Sequence, residues 1–168
     1  MKLILINGPT GIGKSTTAQK IHQAYPLSFL VDIDALRRYI SGYREYKDES
    51  KQLSLLVSES IVATYLRCGH DVIIDKVFID TQTVERFVEL GKKYEADVRE
   101  FVLNASKELV VKRAKARGYR ESSLLTPEKV VKFWEETQEY IKKRSQATIV
   151  DVETLSEEDV YKYIINKI

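Results

Sequence analysis

The chain has 168 residues, of which 43% are hydrophobic and 31% charged, so it can bury the core of about one domain and is not a disordered chain. Its 27 Lys and Arg residues nearly balance its 25 Asp and Glu residues, and the net charge of +2 does not favour a nucleic-acid coat protein or a polybasic membrane protein. Cys68 is the single cysteine, which excludes an intramolecular disulfide, and no segment has the ~20 apolar residues of a membrane helix, so we expect a cytoplasmic protein.

Five short segments rich in Val and Ile predict β-strands. Their apolar residues are consecutive rather than alternating, which is typical of parallel strands buried on both faces. The predicted strands are residues 2–7, 29–32, 72–75, 98–103 and 148–152. The segments between and after them predict helices over residues 15–24, 50–67, 81–94, 106–116, 127–145 and 157–166. This alternation predicts a parallel sheet covered by helices on both faces, in one α/β domain that spans residues 1–168.

The first predicted strand leads into a segment that fits the phosphate-binding pattern G-x-x-x-x-G-K-[ST] at every fixed position. Its residues are Gly8, Pro9, Thr10, Gly11, Ile12, Gly13, Lys14, Ser15 and Thr16. Glycines let successive backbone N–H groups curl around phosphates, and the N-terminus of the following helix favours the same anion. In this pattern Lys14 neutralises the β- and γ-phosphates, and the Ser15 hydroxyl ligates Mg²⁺. The segment therefore predicts a site for a nucleoside triphosphate, which we expect to be ATP, with Mg²⁺.

Two acids and two arginines follow at the carboxyl end of the second predicted strand. In an open α/β sheet this edge lines the ligand crevice. Asp34 is placed to accept the proton of an attacking hydroxyl, and Asp32 to hold Mg²⁺ through water. Arg37 and Arg38 belong to the predicted acceptor side, where Arg37 could clamp an anionic acceptor or the moving phosphoryl group. In the alternative interpretation, the acids only cap the helix that follows.

Three tyrosines, Tyr39, Tyr43 and Tyr46, interleave with arginines after the acid pair. Such a mixture could stack on a base and bind phosphate. We favour the other interpretation, in which the rings pack against the helix predicted over residues 50–67.

Asp75 ends the third predicted strand and has two functional interpretations. As a Walker B-like acid it would hold Mg²⁺ through water, and as an acceptor-site residue it would bind a substrate hydroxyl. The structural alternative is an acid that closes the turn at the end of the strand. Lys76 and Phe78, which follow it, are predicted to be an exposed lysine and a core phenylalanine.

Residues 107–120 contain six Lys or Arg residues and one acid. Arg113 and Arg117 lie four residues apart, so they share a helix face and could converge on the polyphosphate of the nucleotide. With Gly118 after them, this pattern predicts a mobile lid over about residues 107–125, with both arginines in catalysis and Arg113 also in nucleotide binding. The alternative is a solvated basic helix face.

These segments together resemble the small P-loop kinases, a group with AAA_33, polynucleotide kinase-like, adenylylsulfate kinase-like and zeta-toxin-like members. The resemblance covers nearly the whole chain and rests on residues 8–16, the acid-x-x-Arg element 34–37, the strand ending at Asp75, and the basic segment with Arg113 and Arg117. It implies a three-layer P-loop nucleoside triphosphate hydrolase fold, with a five-stranded parallel sheet in the order 2-3-1-4-5. It also implies Asp34 as the base and lid arginines over the phosphates.

The sequence thus predicts a kinase that uses ATP and Mg²⁺ to phosphorylate a hydroxyl group of a small molecule, a nucleotide or a nucleic-acid 5′ end. We expect a monomer or homodimer with no membrane partner. The alternative is a P-loop NTPase switch, or an ATP-gated binding module, without a phosphoryl acceptor. The Asn-Lys-x-Asp motif of GTPases is absent, as is the glycine triplet of shikimate kinases.

Overall fold

The computed structural model describes residues 1–118 and 125–168. Five strands are present in this part of the chain: β1 (Lys2–Asn7), β2 (Phe29–Asp32), β3 (Val72–Asp75), β4 (Asp97–Asn104) and β5 (Thr148–Asp151). The helices described are α1 (Lys14–Ala24), α2 (Ile33–Arg38), α3 (Lys47–Arg67), α4 (Thr81–Lys93), α5 (Lys107–Arg117), α6 (Pro127–Lys143) and α7 (Glu157–Ile165). The strands form one parallel sheet in the order β2-β3-β1-β4-β5. The predicted α/β P-loop fold and strand order are confirmed.

Helix α2 is the element that the sequence did not predict as a separate helix. It begins at Ile33 because the Asp32 carboxylate caps it, accepting a hydrogen bond from the backbone N–H of Ala35 at 2.8 Å. Six residues are too few to produce a helical hydrophobic period. Helix α3 also begins three residues earlier than predicted, at Lys47. None of the described helices is long and apolar enough to cross a membrane.

The core lies on both faces of the central strand β1. Leu3 and Leu5 belong to one hydrophobic cluster, and Ile4 and Ile6 to the other. All four side chains are fully buried, because successive residues of a strand point to opposite faces and helices cover both. The consecutive apolar run that predicted a two-sided strand is therefore explained by the position of β1 between β3 and β4.

The strand register brings the predicted acidic residues to one edge of the sheet. Asp32 at the end of β2 aligns with Asp75 at the end of β3, and Asp75 aligns with Ile6 of β1. Since all the strands are parallel, their carboxyl ends share this edge. The loop after β1 and the helix after β2 therefore begin at the same edge of the sheet, with the end of β3 between them.

Candidate active site

The P-loop, residues 8–16, requires glycine where its backbone turns. Gly8 has φ 139°, and an added Cβ would lie 2.4 Å from the backbone oxygen of Leu103. Gly13, with φ 110°, is the left-handed residue from which α1 starts. No other residue type fits both the conformation and the close approach at Gly8. The loop is thus held by β4 on one side and opens toward the carboxyl edge of the sheet.

Lys14 lies inside the P-loop with its side chain buried. Its ammonium donates a hydrogen bond to the carbonyl oxygen of Pro9 at 2.9 Å. Burial lowers the pKa of Lys14, although the neighbouring carboxylates of Asp75 and Asp34 oppose that shift. A cation that has lost most of its water is a favourable contact for phosphate oxygens.

Asn7 is a site residue that sequence reasoning missed. Its side-chain oxygen accepts hydrogen bonds from the backbone N–H of Gly8 at 2.7 Å and of Phe78 at 2.9 Å, and its amide donates to the Phe78 oxygen at 3.2 Å. Asn7 therefore fastens the start of the P-loop to the segment after β3. The only feature of the sequence that could have indicated this role is that Asn7 is a polar amide at the end of an otherwise apolar strand.

Asp75, Asp32 and Ser15 are the predicted magnesium ligands, and the structure aligns the two acids on the neighbouring strands β2 and β3. The Asp75 carboxylate is largely buried and lies near the Ser15 hydroxyl. Burial raises the pKa of Asp75, and the Lys14 ammonium opposes the shift. Hydroxyl and carboxylate oxygens suit Mg²⁺, which binds few protein ligands and keeps its remaining positions for phosphate and water. In the described residues, no group of three or more His, Cys, Asp or Glu side chains could hold a metal by itself.

Asp32 has a second role, as the cap of α2, so the capping interpretation applies to this acid rather than to Asp34. One carboxylate oxygen is occupied by the backbone of Ala35. The other lies 4.0 Å from the guanidinium of Arg38, which places that predicted substrate residue beside the acid pair. Asp32 is therefore less available than Asp75 for a magnesium-bound water.

Asp34 points into the crevice and forms an ion pair with Lys76. The ammonium lies 3.0 Å from the carboxylate, and the side chains are 12% exposed for Lys76 and 62% exposed for Asp34. Burial by itself would raise the pKa of Asp34, but Lys76, together with Lys14 and Arg38, holds it below its usual value. The Asp34 carboxylate is therefore ionised at neutral pH.

The prediction that Lys76 is an exposed lysine was wrong, because the residue after β3 turns toward α2 rather than toward solvent. Phe78 is buried as predicted.

Arg37 is held in place by neutral oxygen atoms. Its Nε donates to the Ser50 hydroxyl at 2.9 Å, and its Nη2 donates to the backbone oxygens of Lys47 at 2.8 Å and Tyr43 at 3.3 Å. These bonds fix the turn between α2 and α3. The predicted acceptor arginine thus also has a structural role.

The tyrosines do not behave as a group. Tyr43 is half-buried, whereas Tyr39 and Tyr46 are 86% and 63% exposed. The favoured prediction, that all three rings pack against the following helix, was wrong because the segment between α2 and α3 turns and leaves those two rings outside the core.

The basic helix α5 lies against the P-loop. The Arg113 guanidinium donates to the Ile12 backbone oxygen at 3.4 Å, and a Cβ on Gly11 would approach the Ala114 backbone at 3.4 Å. Arg117 lies one turn further along and lines the cavity described below. The structure therefore places Arg113 against the P-loop and Arg117 on the wall of the cavity. The rest of the predicted lid, at residues 119–124, lies outside the described residues.

A cavity of about 530 Å³ extends from the P-loop along the acceptor side. Thr10 and Gly11 form its nucleotide end, and Asp34 lies on its wall. The apolar wall is formed by Leu55, Val77, Phe78, Ile79, Leu125 and Phe133. Cationic side chains also line it, from Arg37, Arg38, Lys51, Lys76, Arg117 and Lys129. Lys51 and Lys129 were not singled out from the sequence, because only the fold brings α3 and α6 to this cavity.

Comparisons with known proteins agree with this geometry. The AAA_33 family model, described as an AAA domain, matches residues 3–142, and the comparison with curated proteins found no match. Similar solved structures include the tunicamycin resistance protein of Deinococcus radiodurans, at 21% identity and TM-score 0.66, covering 99% of this chain and 94% of that one. A gluconokinase from Sinorhizobium meliloti 1021 shares 18% identity at TM-score 0.69, covering 96% of this chain and 87% of that one. A deoxyadenosine kinase from M. mycoides shares 16% identity at TM-score 0.58, with coverage of 98% and 97%.

These structures establish a shared fold, whereas the family match establishes membership because it spans most of the sequence. The chain belongs to the AAA_33 family.

Proposed function

We propose that the protein is a kinase that uses ATP and Mg²⁺ and transfers the γ-phosphoryl group to a hydroxyl group. The observation that carries this proposal is the common cavity: Thr10 and Gly11 of the P-loop and the carboxylate-bearing Asp34 line the same space. Phosphoryl transfer depends mainly on positioning and on neutralising charge, so donor loop and acceptor base must face one another. An NTPase switch does not need a cavity that holds an acceptor molecule beside the P-loop.

The P-loop binds the donor. Its backbone N–H groups and the N-terminus of α1 hold the phosphates, and Lys14 exchanges its contact with Pro9 for phosphate oxygens. The Ser15 hydroxyl, with Asp75 or Asp32 through water, would hold Mg²⁺, which would supply charge neutralisation at the β- and γ-phosphates. Arg113 and Arg117 add positive charge from α5.

Asp34 orients the acceptor hydroxyl and accepts its proton. The acceptor oxygen forms a bond to the γ-phosphorus while the bond from that phosphorus to the β–γ bridging oxygen breaks, which releases ADP. The proton passes to the Asp34 carboxylate and then to solvent, to which that side chain is 62% exposed. Lys76 keeps the carboxylate ionised beforehand, so that it is ready to accept the proton.

The acceptor is a small molecule, a nucleotide or a nucleic-acid 5′ end. The similar structures named as a gluconokinase and a deoxyadenosine kinase support a small hydroxyl-bearing acceptor. We place the enzyme in the cytoplasm as a monomer or homodimer.

A transfer assay with radiolabelled ATP tests this function. The purified protein is screened against nucleosides, oligonucleotide 5′ ends, sugars and aminoglycosides, and a labelled product is expected from at least one class. Asp34→Asn should lower kcat by about 10²-fold or more while ATP affinity stays within a few fold. Asp97→Asn is the matched control, because Asp97 is at the amino end of β4, on the opposite edge of the sheet. ATP hydrolysis with no labelled acceptor and no effect of Asp34→Asn would instead identify an NTPase switch.

A further inference from the structure

Helix α3 presents an apolar stripe to solvent. Leu53, Leu56 and Val57 are 49%, 51% and 45% exposed, and their spacing of three and four residues makes them neighbours on one helix face. Single exposed apolar residues are ordinary surface features, whereas contiguous ones mark a binding surface. Residues 52–66 contain one charged residue, Glu59, and its carboxylate is paired with Arg86 of α4. The middle of this stripe therefore offers an uncharged contact surface that the active site does not use.

The residues along the stripe have the spacing of a coiled-coil seam. They lie alternately four and three residues apart, and all are exposed or partly exposed: Glu49, Leu53, Leu56, Ser60, Ala63 and Arg67. This average spacing of 3.5 residues keeps one line of side chains facing a second helix, as the a and d positions of a coiled coil do. The other side of α3 is already buried against the fold. Helix α3 therefore has a second packing face, and that face is open.

The order of residues along the seam favours an antiparallel copy of the same helix. If a two-fold axis passes midway between Leu56 and Ser60, those two residues face each other across it, and Leu53 faces Ala63. Each leucine then meets a small side chain, which allows close packing of the two helices. The Ser60 hydroxyl donates to the Leu56 backbone oxygen of its own helix at 3.0 Å, so it can be buried without losing its hydrogen bond.

The same alignment brings opposite charges together at both ends of the seam. Glu49 is in the first turn of α3 and Arg67 is in its last turn, so each faces the other residue of the second copy. Within the described parts of one chain, neither side chain has a hydrogen-bond or ion-pair partner. A parallel copy would instead place like charges against each other at both ends, which is unfavourable.

We propose that α3 is a dimerisation helix, and that the protein forms a two-fold symmetric homodimer in which two copies of α3 pack antiparallel along this seam. Such a contact uses the same surface on both subunits and closes on itself. The residues of α3 that line the cavity, Lys51, Ser54 and Leu55, are on the other side of the helix, so pairing leaves both cavities open. Stable interfaces bury about 1,200–2,000 Å², and a single helix pair about 27 Å long is small by that standard, so we expect a micromolar dissociation constant.

Sedimentation equilibrium tests the proposal with the full chain. Between about 1 μM and about 1 mM protein, the mass should rise from the 19.4 kDa of one chain toward twice that value. Leu56→Glu places two carboxylates in the seam and should raise the dissociation constant by about 10-fold or more. Leu27→Glu is the matched control, since Leu27 is a leucine between α1 and β2 that is 74% exposed, and it should leave the dissociation constant unchanged. Far-UV circular dichroism checks that both variants fold.

Charge reversal tests the antiparallel alignment. Glu49→Arg and Arg67→Glu each create two like-charge contacts, and each should raise the dissociation constant by about 3-fold or more at low salt. The double variant Glu49→Arg/Arg67→Glu should return it to within about 2-fold of the original value. The two positions are about 27 Å apart along one helix, well beyond the screening length of about 10 Å, so such coupling arises across the interface.

Three results would overturn the proposal. A monomer at every concentration would refute it and leave the stripe to a protein of different sequence. A dimer that is unchanged by Leu56→Glu would show that another surface is used. A double reversal that fails to recover the affinity lost in the single variants would exclude the antiparallel pairing of α3. Because none of these measurements uses ATP or an acceptor, they leave the proposed kinase function untouched.

Discussion

Replacing Arg144 with Met should destabilise the protein by about 3–5 kcal/mol, because the change leaves a carboxylate buried without its counter-ion. Arg144 follows α6, and its side chain is 3% exposed. Its Nε donates to the Glu100 carboxylate at 2.7 Å, and its Nη1 donates to Glu85. Glu100, in β4, is 5% exposed and also accepts a hydrogen bond from the Tyr140 hydroxyl.

The magnitude follows from the burial of each partner. Glu100 cannot be rehydrated unless α6 moves away from the sheet, so its unpaired charge carries nearly the full penalty. Tyr140 cannot replace the cation, because a phenol carries no positive charge. Burial and the neighbouring Glu100 raise the pKa of its hydroxyl, so it remains a neutral hydrogen-bond donor. Glu85 is 42% exposed, so its contact with Arg144 contributes little. A loss of this size is a large share of the roughly 5–15 kcal/mol that stabilises a typical domain.

Urea unfolding followed by circular dichroism measures the effect as a lower midpoint at constant slope. The double variant Arg144→Met/Glu100→Gln should recover part of the loss, because a neutral amide costs less to bury than an unpaired carboxylate. Arg99→Met is the control, as its ion pair with Asp97 is about half-exposed and should contribute no more than about 1 kcal/mol. If Arg144→Met lowers the free energy of unfolding by less than about 1 kcal/mol, the reasoning is refuted, because it assumes an ion pair that is shielded from water.

The remaining predictions concern the P-loop and the basic helix. Lys14→Ala should lower kcat by about 10²-fold or more without unfolding the protein. Lys20→Ala, in the same helix but ion-paired with Glu158 of α7, should leave kcat unchanged. Gly8→Ala should abolish ATP binding in a titration, since its Cβ would lie 2.4 Å from a backbone oxygen of β4. Arg117→Ala should lower kcat more than ATP affinity, whereas Lys115→Ala on the same helix should change neither. Hydrogen exchange over residues 107–118 should slow when a non-hydrolysable ATP analogue is added. An unchanged exchange rate would support the alternative interpretation, in which this helix is only a solvated basic face.

The parts of the fold that the sequence predicted best are those defined by local patterns. The P-loop could be recognised because its glycines and Lys14 occupy fixed positions between an apolar strand and a helix. The parallel sheet followed from consecutive apolar runs, which require burial on both faces. Helix α2 was missed because it has six residues and depends on a single cap from Asp32, and such a cap has no periodic signature.

Sequence reasoning missed Asn7 and Lys51, and it did not predict the structural contacts of Arg37, because these depend on how distant segments meet. Asn7 reaches Phe78, and Arg37 binds the start of α3 beyond a turn. Lys51 lines the acceptor cavity because α3 returns across α2, a path that no local pattern specifies. Asn7 and Lys51 have an ordinary sequence context, so their positions at the site appear only once the strand order and helix positions are known.

The ion pair of Asp34 with Lys76 illustrates how strand order determines the chemistry of the site. The two residues are 42 positions apart, yet each lies just past the end of a strand, and β2 and β3 are neighbours in register. A sheet with another strand between them would hold Asp34 away from this ammonium, and the carboxylate would depend on Lys14 and Arg38 alone. The Lys76 side chain is largely desolvated in this position. Its charge-assisted hydrogen bond to the Asp34 carboxylate offsets the cost of that desolvation. The order β2-β3-β1 therefore has a consequence for the chemistry as well as for the core. It brings Lys14, Asp34 and Lys76 to the edge of the sheet where transfer is proposed to occur.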